Sequence, residues 1–278
     1  MRRALRWMMG SVFALCLISG AGFAWVYFAS QAHLHSYEKP PAFTRVIPSD
    51  ADSIAHGKHL VDTRGCRGCH GATLGGEVMW GYAVAPNLPA LVREHGIAAL
   101  EAGMRHGIAV DGTAMYSMPA FSFIHLRDED VAAIAAYLMA EPVRNTELPE
   151  PTLPWGIRYA IARGEDKPIA GFLDQVPPLQ HAGAADTSLA RGEYIAMTTC
   201  IECHGFRLRG DEQFGGPAPS LVIVGGYDRA AFTKLMRTGK ALGDRELPMM
   251  SPVARSRFVH LADEELADLH EFLRTMTP

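Results

Sequence analysis

The chain has 278 residues, 48% of them hydrophobic and 20% charged, and by length it accommodates about two ordinary domains. That balance excludes a disordered or collagen-like chain. A net charge of −4 with no Lys/Arg-rich stripe beyond the first six residues excludes an electrostatic footprint for nucleic acid.

At the N-terminus, Arg2, Arg3 and Arg6 precede an uncharged run from Trp7 to Ala29. As a helix that run reaches about 34 Å, enough to cross a bilayer. A secretory signal has a shorter apolar core, about 7 to 15 residues, and Ser30-Gln31-Ala32 is the only tolerable cleavage site nearby. Residues 1–30 are therefore read as an uncleaved transmembrane anchor, with a cleaved signal as the alternative. Basic residues ahead of the span put the N-terminus in the cytoplasm and the rest outside. The expectation is a single-pass protein of the bacterial inner membrane with its globular part in the periplasm, reached through a linker over 31–50. From Gln31 onward the chain carries 23 basic and 30 acidic residues, which further disfavours a polyanionic partner.

Five cysteines follow an uneven pattern. Cys16 lies alone in the apolar run and reads as a small buried hydrophobe. The other four form two pairs, each followed at once by histidine: Cys66-Arg-Gly-Cys69-His70 and Cys200-Ile-Glu-Cys203-His204. Laid over each other at an offset of 134 residues, the two sites define an internal repeat. Upstream, His56-Gly57-Lys58 matches Arg191-Gly192-Glu193. Downstream, Leu74 matches Leu208 and Ala85-Pro86-Asn87-Leu88 matches Ala218-Pro219-Ser220-Leu221. Each copy then offers a methionine-bearing loop and an amphipathic helix with an acidic start, after Asp128 in the first and Asp263 in the second.

Between the copies, Pro142, Pro149, Pro151 and Pro154 forbid a long helix and mark a boundary. The domains are placed at 51–145 and 188–278, with an interdomain linker over 146–187. Trp155, Ile157, Tyr159 and Ile161 would be costly to leave in water, so the linker is expected to pack over both domains.

A Cys-x-x-Cys pair followed by histidine has a definite chemical use: the thiols form thioethers to the haem vinyl groups and the imidazole becomes an axial iron ligand. Zinc binding would need the two pairs to work together, although zinc ribbons space them by about 15 to 20 residues. A thioredoxin-like pair would need a βαβ context, and two structural disulfides are conceivable outside the cytoplasm. None of these explains a histidine at the same place twice inside a repeat. Two covalent haem c groups, held by Cys66, Cys69, Cys200 and Cys203 with His70 and His204 as iron ligands, are the expectation.

From Ala51 to Glu141 and from Ser188 to Thr277 the chain resembles the class I cytochrome c family, in the order of its Cys-x-x-Cys-His sites, Pro-Asn-Leu and Pro-Ser-Leu segments, Met-Pro loop and final helix. The layout is similar to membrane-anchored dihaem cytochromes c. The resemblance implies an all-α fold of an N-terminal transmembrane helix followed by two tandem cytochrome c domains, the first and last helices of each crossing. It also implies a distal methionine: Met118 in the first domain, with Met115 as the alternative, and Met250 in the second, with Met249 as the alternative. His106 and His125 are lesser candidates. The backbone carbonyls of Pro86 and Pro219 would orient the two imidazoles, with Pro217 as a fallback.

Histidine with methionine leaves no open position on iron. The expected function is electron transfer, without a catalytic acid, base or nucleophile, from a dehydrogenase or quinol-side donor to an oxidase or small cytochrome. A dihaem peroxidase, or a permanent cytochrome subunit docking a dehydrogenase to the membrane, is the alternative.

Overall fold

The computed structural model describes residues 2–144, 147–184, 186–210 and 217–277, so the boundary expected at 145 and 146 lies outside the described residues. The first helix, α1 (Arg2–Leu34), runs past the uncharged stretch. Most of it is exposed, and Val26, Ser30 and Leu34 form a buried stripe at spacing i, i+4, i+8. That stripe faces α6 (Trp155–Ala162), the short helix of the linker. Phe23 stacks edge-on with Trp155 at 5.2 Å, and Arg158 lies over the Tyr27 ring while donating to Ser30 Oγ at 3.2 Å. The far end of α1 is tied to the first domain, where Ala114 N–H donates to the Leu34 carbonyl at 2.9 Å.

The first domain comprises α2 (Ala51–Thr63), the short turn α3 (Cys66–His70), a hairpin of β1 (Glu77–Met79) and β2 (Ala83–Ala85), α4 (Leu88–Glu101) and α5 (Asp128–Ala140). Asp50 and Asn87 cap α2 and α4, accepting from Ser53 N–H and Ala90 N–H. Helix α2 crosses α5 at Gly57, where a Cβ would stand 1.9 Å from the Ala133 carbonyl oxygen. The second domain comprises α7 (Ser188–Thr199), α8 (Ile201–His204), α9 (Arg229–Thr238), α10 (Met250–Ser256) and α11 (Asp263–Arg274). Here α7 crosses α11 at Gly192, the repeat partner of Gly57, with a Cβ 2.1 Å from the Asp268 carbonyl oxygen. The fold is thus all-α apart from one hairpin and two isolated bridges among the described residues.

The acidic starts behave as first-turn anions rather than caps. Asp128 and Asp263 are the first helical residues of α5 and α11, where a negative charge meets the positive end of the helix. At α11 the Glu265 carboxylate accepts from Ala262 N–H at 2.7 Å, half of a capping box, because Ala262 has no acceptor of its own.

One expectation about the linker needs correcting. Trp155, 50% exposed, packs on the anchor through Phe23, and Tyr159 is 47% exposed with Arg163 over its ring, so neither packs over the two domains. The later linker residues Ile169 and Val176 do that, sharing one apolar cluster with Ala120 and Phe121 of the first domain and the core of the second. Their backbone helps: Ile169 N–H donates to the Met115 carbonyl, and a ring nitrogen of His125 bonds the Pro177 carbonyl.

Candidate haem sites

Each Cys-x-x-Cys-His segment forms a single helical turn, which places the two thiols and the imidazole, at i, i+3 and i+4, on one side of the backbone. The loop that follows is the same in both copies. Gly76 N–H donates to the His70 carbonyl at 3.0 Å and Gly210 N–H to that of His204 at 2.9 Å. Leu74 and Leu208 both adopt left-handed backbone, φ 59° and 57°, a conformation costing a leucine on the order of 1–3 kcal/mol. Both are buried, and each carbonyl accepts from the leucine after the Pro-Asn or Pro-Ser pair, Leu88 N–H and Leu221 N–H.

That clasp brings a proline carbonyl to each imidazole. His70 Nδ1–H donates to the Pro86 carbonyl at 2.9 Å and His204 Nδ1–H to the Pro219 carbonyl at 2.8 Å. Nδ1 thereby holds the ring proton and Nε2 keeps its lone pair, the form a metal ligand requires. Burial pushes the pKa of both rings below the ordinary imidazole value, against the smaller opposing effect of the carbonyl bond. The thiols lie in equally apolar surroundings: burial pushes Cys66 and Cys200 up to about 11 and raises Cys69. None of the five cysteines is paired in a disulfide. No group of three or more His, Cys, Asp or Glu residues able to hold a metal ion occurs among the described residues.

The methionines differ in placement. Cys66 and Met118 pack against the same apolar cluster of the first domain, while the Met115 methyl lies 3.5 Å from where a Cβ of Gly103 would stand. In the second domain Cys200 belongs to the core cluster and Met250 packs against it, whereas Met249 is 63% exposed. His106 bonds Glu101 at 3.0 Å. The two donor sets, two thiols, a carbonyl-oriented imidazole and a thioether at the edge of an apolar cluster, fit a covalently attached haem.

The sequence reading missed the residues between the domains. Asp130, 4% exposed, accepts from His56 Nε2–H at 2.6 Å and from the Tyr194 hydroxyl of the second domain. Arg127 lies over the Tyr194 ring at 4.5 Å, and His59 pairs with Glu265 at 2.9 Å. Phe121 meets Phe206 edge-on at 5.2 Å.

The cytochrome c family model matches residues 54–141 and 189–277, once for each copy. Similar proteins include the cytochrome c subunit of the quinone-dependent alcohol dehydrogenase of Gluconobacter oxydans, 24% identical over 84% of this chain and 57% of that one. The cytochrome c subunit of gluconate 2-dehydrogenase of Pantoea cypripedii is 22% identical over 80% and 59%. A dihaem c-type cytochrome of Cereibacter sphaeroides is 28% identical over 74% of each chain. The chain spans under two thirds of the length of the dehydrogenase subunits it matches. It belongs to the cytochrome c family, in two tandem domains, and carries two covalently bound haem c groups.

Proposed function

We propose that this dihaem cytochrome c is a membrane-tethered electron-transfer subunit, which accepts electrons from a dehydrogenase or quinol-side donor and delivers them to an oxidase or a smaller cytochrome in the periplasm. One observation carries the reading: in both domains the first cysteine of the pair and a partly buried methionine meet the same apolar cluster, and the histidine of the same turn is oriented by a proline carbonyl. Cys66 and Cys69 would tether one haem and Cys200 and Cys203 the other. His70 and His204 would ligate the irons through Nε2, and Met118 and Met250 would supply the thioether ligands. Haem supplies one-electron chemistry, and thioether ligation favours the ferrous state.

The chain's own residues do the rest. The Pro86 and Pro219 carbonyls fix ring orientation and raise imidazole basicity. The apolar clusters exclude water, which limits the reorganisation that accompanies each change of charge. The names of relatives, cytochrome subunits of alcohol and gluconate dehydrogenases, support a dehydrogenase as donor. Helix α1, long and apolar enough to cross a membrane, supports the tether, and Arg2, Arg3 and Arg6 support a periplasmic placement of both haem domains.

A spectroscopic redox titration of the purified protein, with and without added peroxide, tests this reading. Two low-spin haems inert to peroxide are expected. A high-spin haem with peroxide turnover would overturn it in favour of a peroxidase. Co-purification with a dehydrogenase after mild detergent extraction is expected of a permanent subunit, whereas a free carrier would emerge alone.

A further inference from the structure

The two cysteine-bearing turns lie on either side of one arginine. Arg257 follows α10, and its side chain is only 16% exposed. Its Nη1 donates to Glu202 Oε2 at 3.0 Å, and Glu202 stands between Cys200 and Cys203. The other side of the guanidinium packs on Gly65, the residue before Cys66, so closely that a Cβ there would fall 2.0 Å from Nε. Arg257 therefore touches the attachment turn of each domain. A second cation, Arg64, is buried in the same seam beneath Tyr194.

The placement has a local origin. The second domain has three more residues than the first between its methionine and its last helix, and they extend the loop into α10. That helix carries Arg257 across the domain boundary.

We propose that Arg257 is the positioning residue at an inter-haem crossing: it clasps the two Cys-x-x-Cys turns, so that the thioether sides of both haems border one seam, and its cation biases both irons toward the ferrous state. The inference rests on Cys66, Cys69, Cys200 and Cys203 as the attachment points. At the crossing one electron leaves one ferrous iron and reduces the other ferric iron, with no bond or proton moved. An arginine suits the place because its planar fork can bond Glu202 while its face covers the Gly65 backbone. A half-buried charge is weakly screened, so it reaches both sites.

The test uses the full-length holoprotein and reads the two midpoint potentials by spectroscopic titration, with haem content measured separately. Arg257→Gln removes the cation and strands the Glu202 carboxylate, which stabilises ferric iron. Both potentials should fall, each ferrous/ferric ratio shifting by roughly tenfold, about 59 mV for one electron. Glu202→Gln, which leaves the cation unopposed, should raise both, and the double variant should return toward the parent. Two retained haems with only one potential moving, or neither, in Arg257→Gln and Glu202→Gln would overturn the proposal. A Cys66→Ala/Cys69→Ala protein that still holds two covalent haems would instead overturn the attachment reading beneath it.

Discussion

Met249 and Met250 are neighbours in sequence but face different surroundings, one largely in water and the other against the second-domain core. A distal ligand must reach iron inside an apolar pocket. Met250→Ala and Met118→Ala are each expected to open one ferrous haem to carbon monoxide, seen as a Soret shift for half the haem, whereas Met249→Ala should leave the spectrum unchanged. A second residue-scale consequence concerns pH. The hydrogen bond to Asp130 raises the pKa of His56 above its ordinary 6.5, outweighing burial, while Arg64 opposes and Glu265 assists. Asp130, despite burial, is held below 3.8 by bonds from His56 and Tyr194. The His56 contribution is complete below pH 6.5 and is lost as pH rises through its higher folded value. The Asp130 contribution is present above 3.8 and is lost as pH falls through its lower folded value. The pair therefore stabilises most between those two ordinary values. Thermal midpoints measured from pH 6 to 9 should fall more steeply in the parent than in His56→Gln.

The crossing of first and last helices depends on two glycines at equivalent places in the repeat. At Gly57 and Gly192 the partner backbone leaves no room for a methyl group, and relief requires the helices to part. Overpacking of this kind costs about 1–3 kcal/mol. For a domain of this size Gly57→Ala or Gly192→Ala should lower the melting midpoint by about 4–8 °C per kcal/mol, followed by helical circular dichroism with both haems attached. The loops after the Cys-x-x-Cys-His turns are likewise matched, down to a left-handed leucine in each. The linker helix α6 behaves differently from any repeat element. Its partner is the anchor, whose buried stripe of Val26, Ser30 and Leu34 it covers.

Across the whole molecule, the two domains are joined by buried groups rather than by a tether alone. Phe121, 1% exposed, belongs by sequence to the first domain's methionine loop and by packing to the second domain's core. Truncating a buried phenylalanine costs about 3–5 kcal/mol, and Tyr194→Phe removes one of the bonds to Asp130, worth about 1–3 kcal/mol where an acceptor is left short. Calorimetry of the parent should give one coupled transition. Phe121→Ala combined with Tyr194→Phe should separate it into two, and an unchanged single transition would show that the seam does not couple the domains.

Some of this was settled by local chemistry and some was not. The haem-attachment turns, the orienting Pro86 and Pro219, the first-turn acids and the helix periodicity are short-range patterns, fixed by residue type and spacing within a few turns of chain, and the repeat made each visible twice. The choice between adjacent methionines was only half legible, because it depends on which side of α10 meets the core. Trp155 announced by its hydrophobicity that it needed a partner, yet nothing local said it would be Phe23 of the anchor. Asp130 with Tyr194, and Arg257 between Gly65 and Glu202, join residues 55 or more positions apart. No local periodicity encodes such pairs. Their geometry exists only once both domains have folded and packed, because burial of shared apolar surface, not chain proximity, brings those groups together.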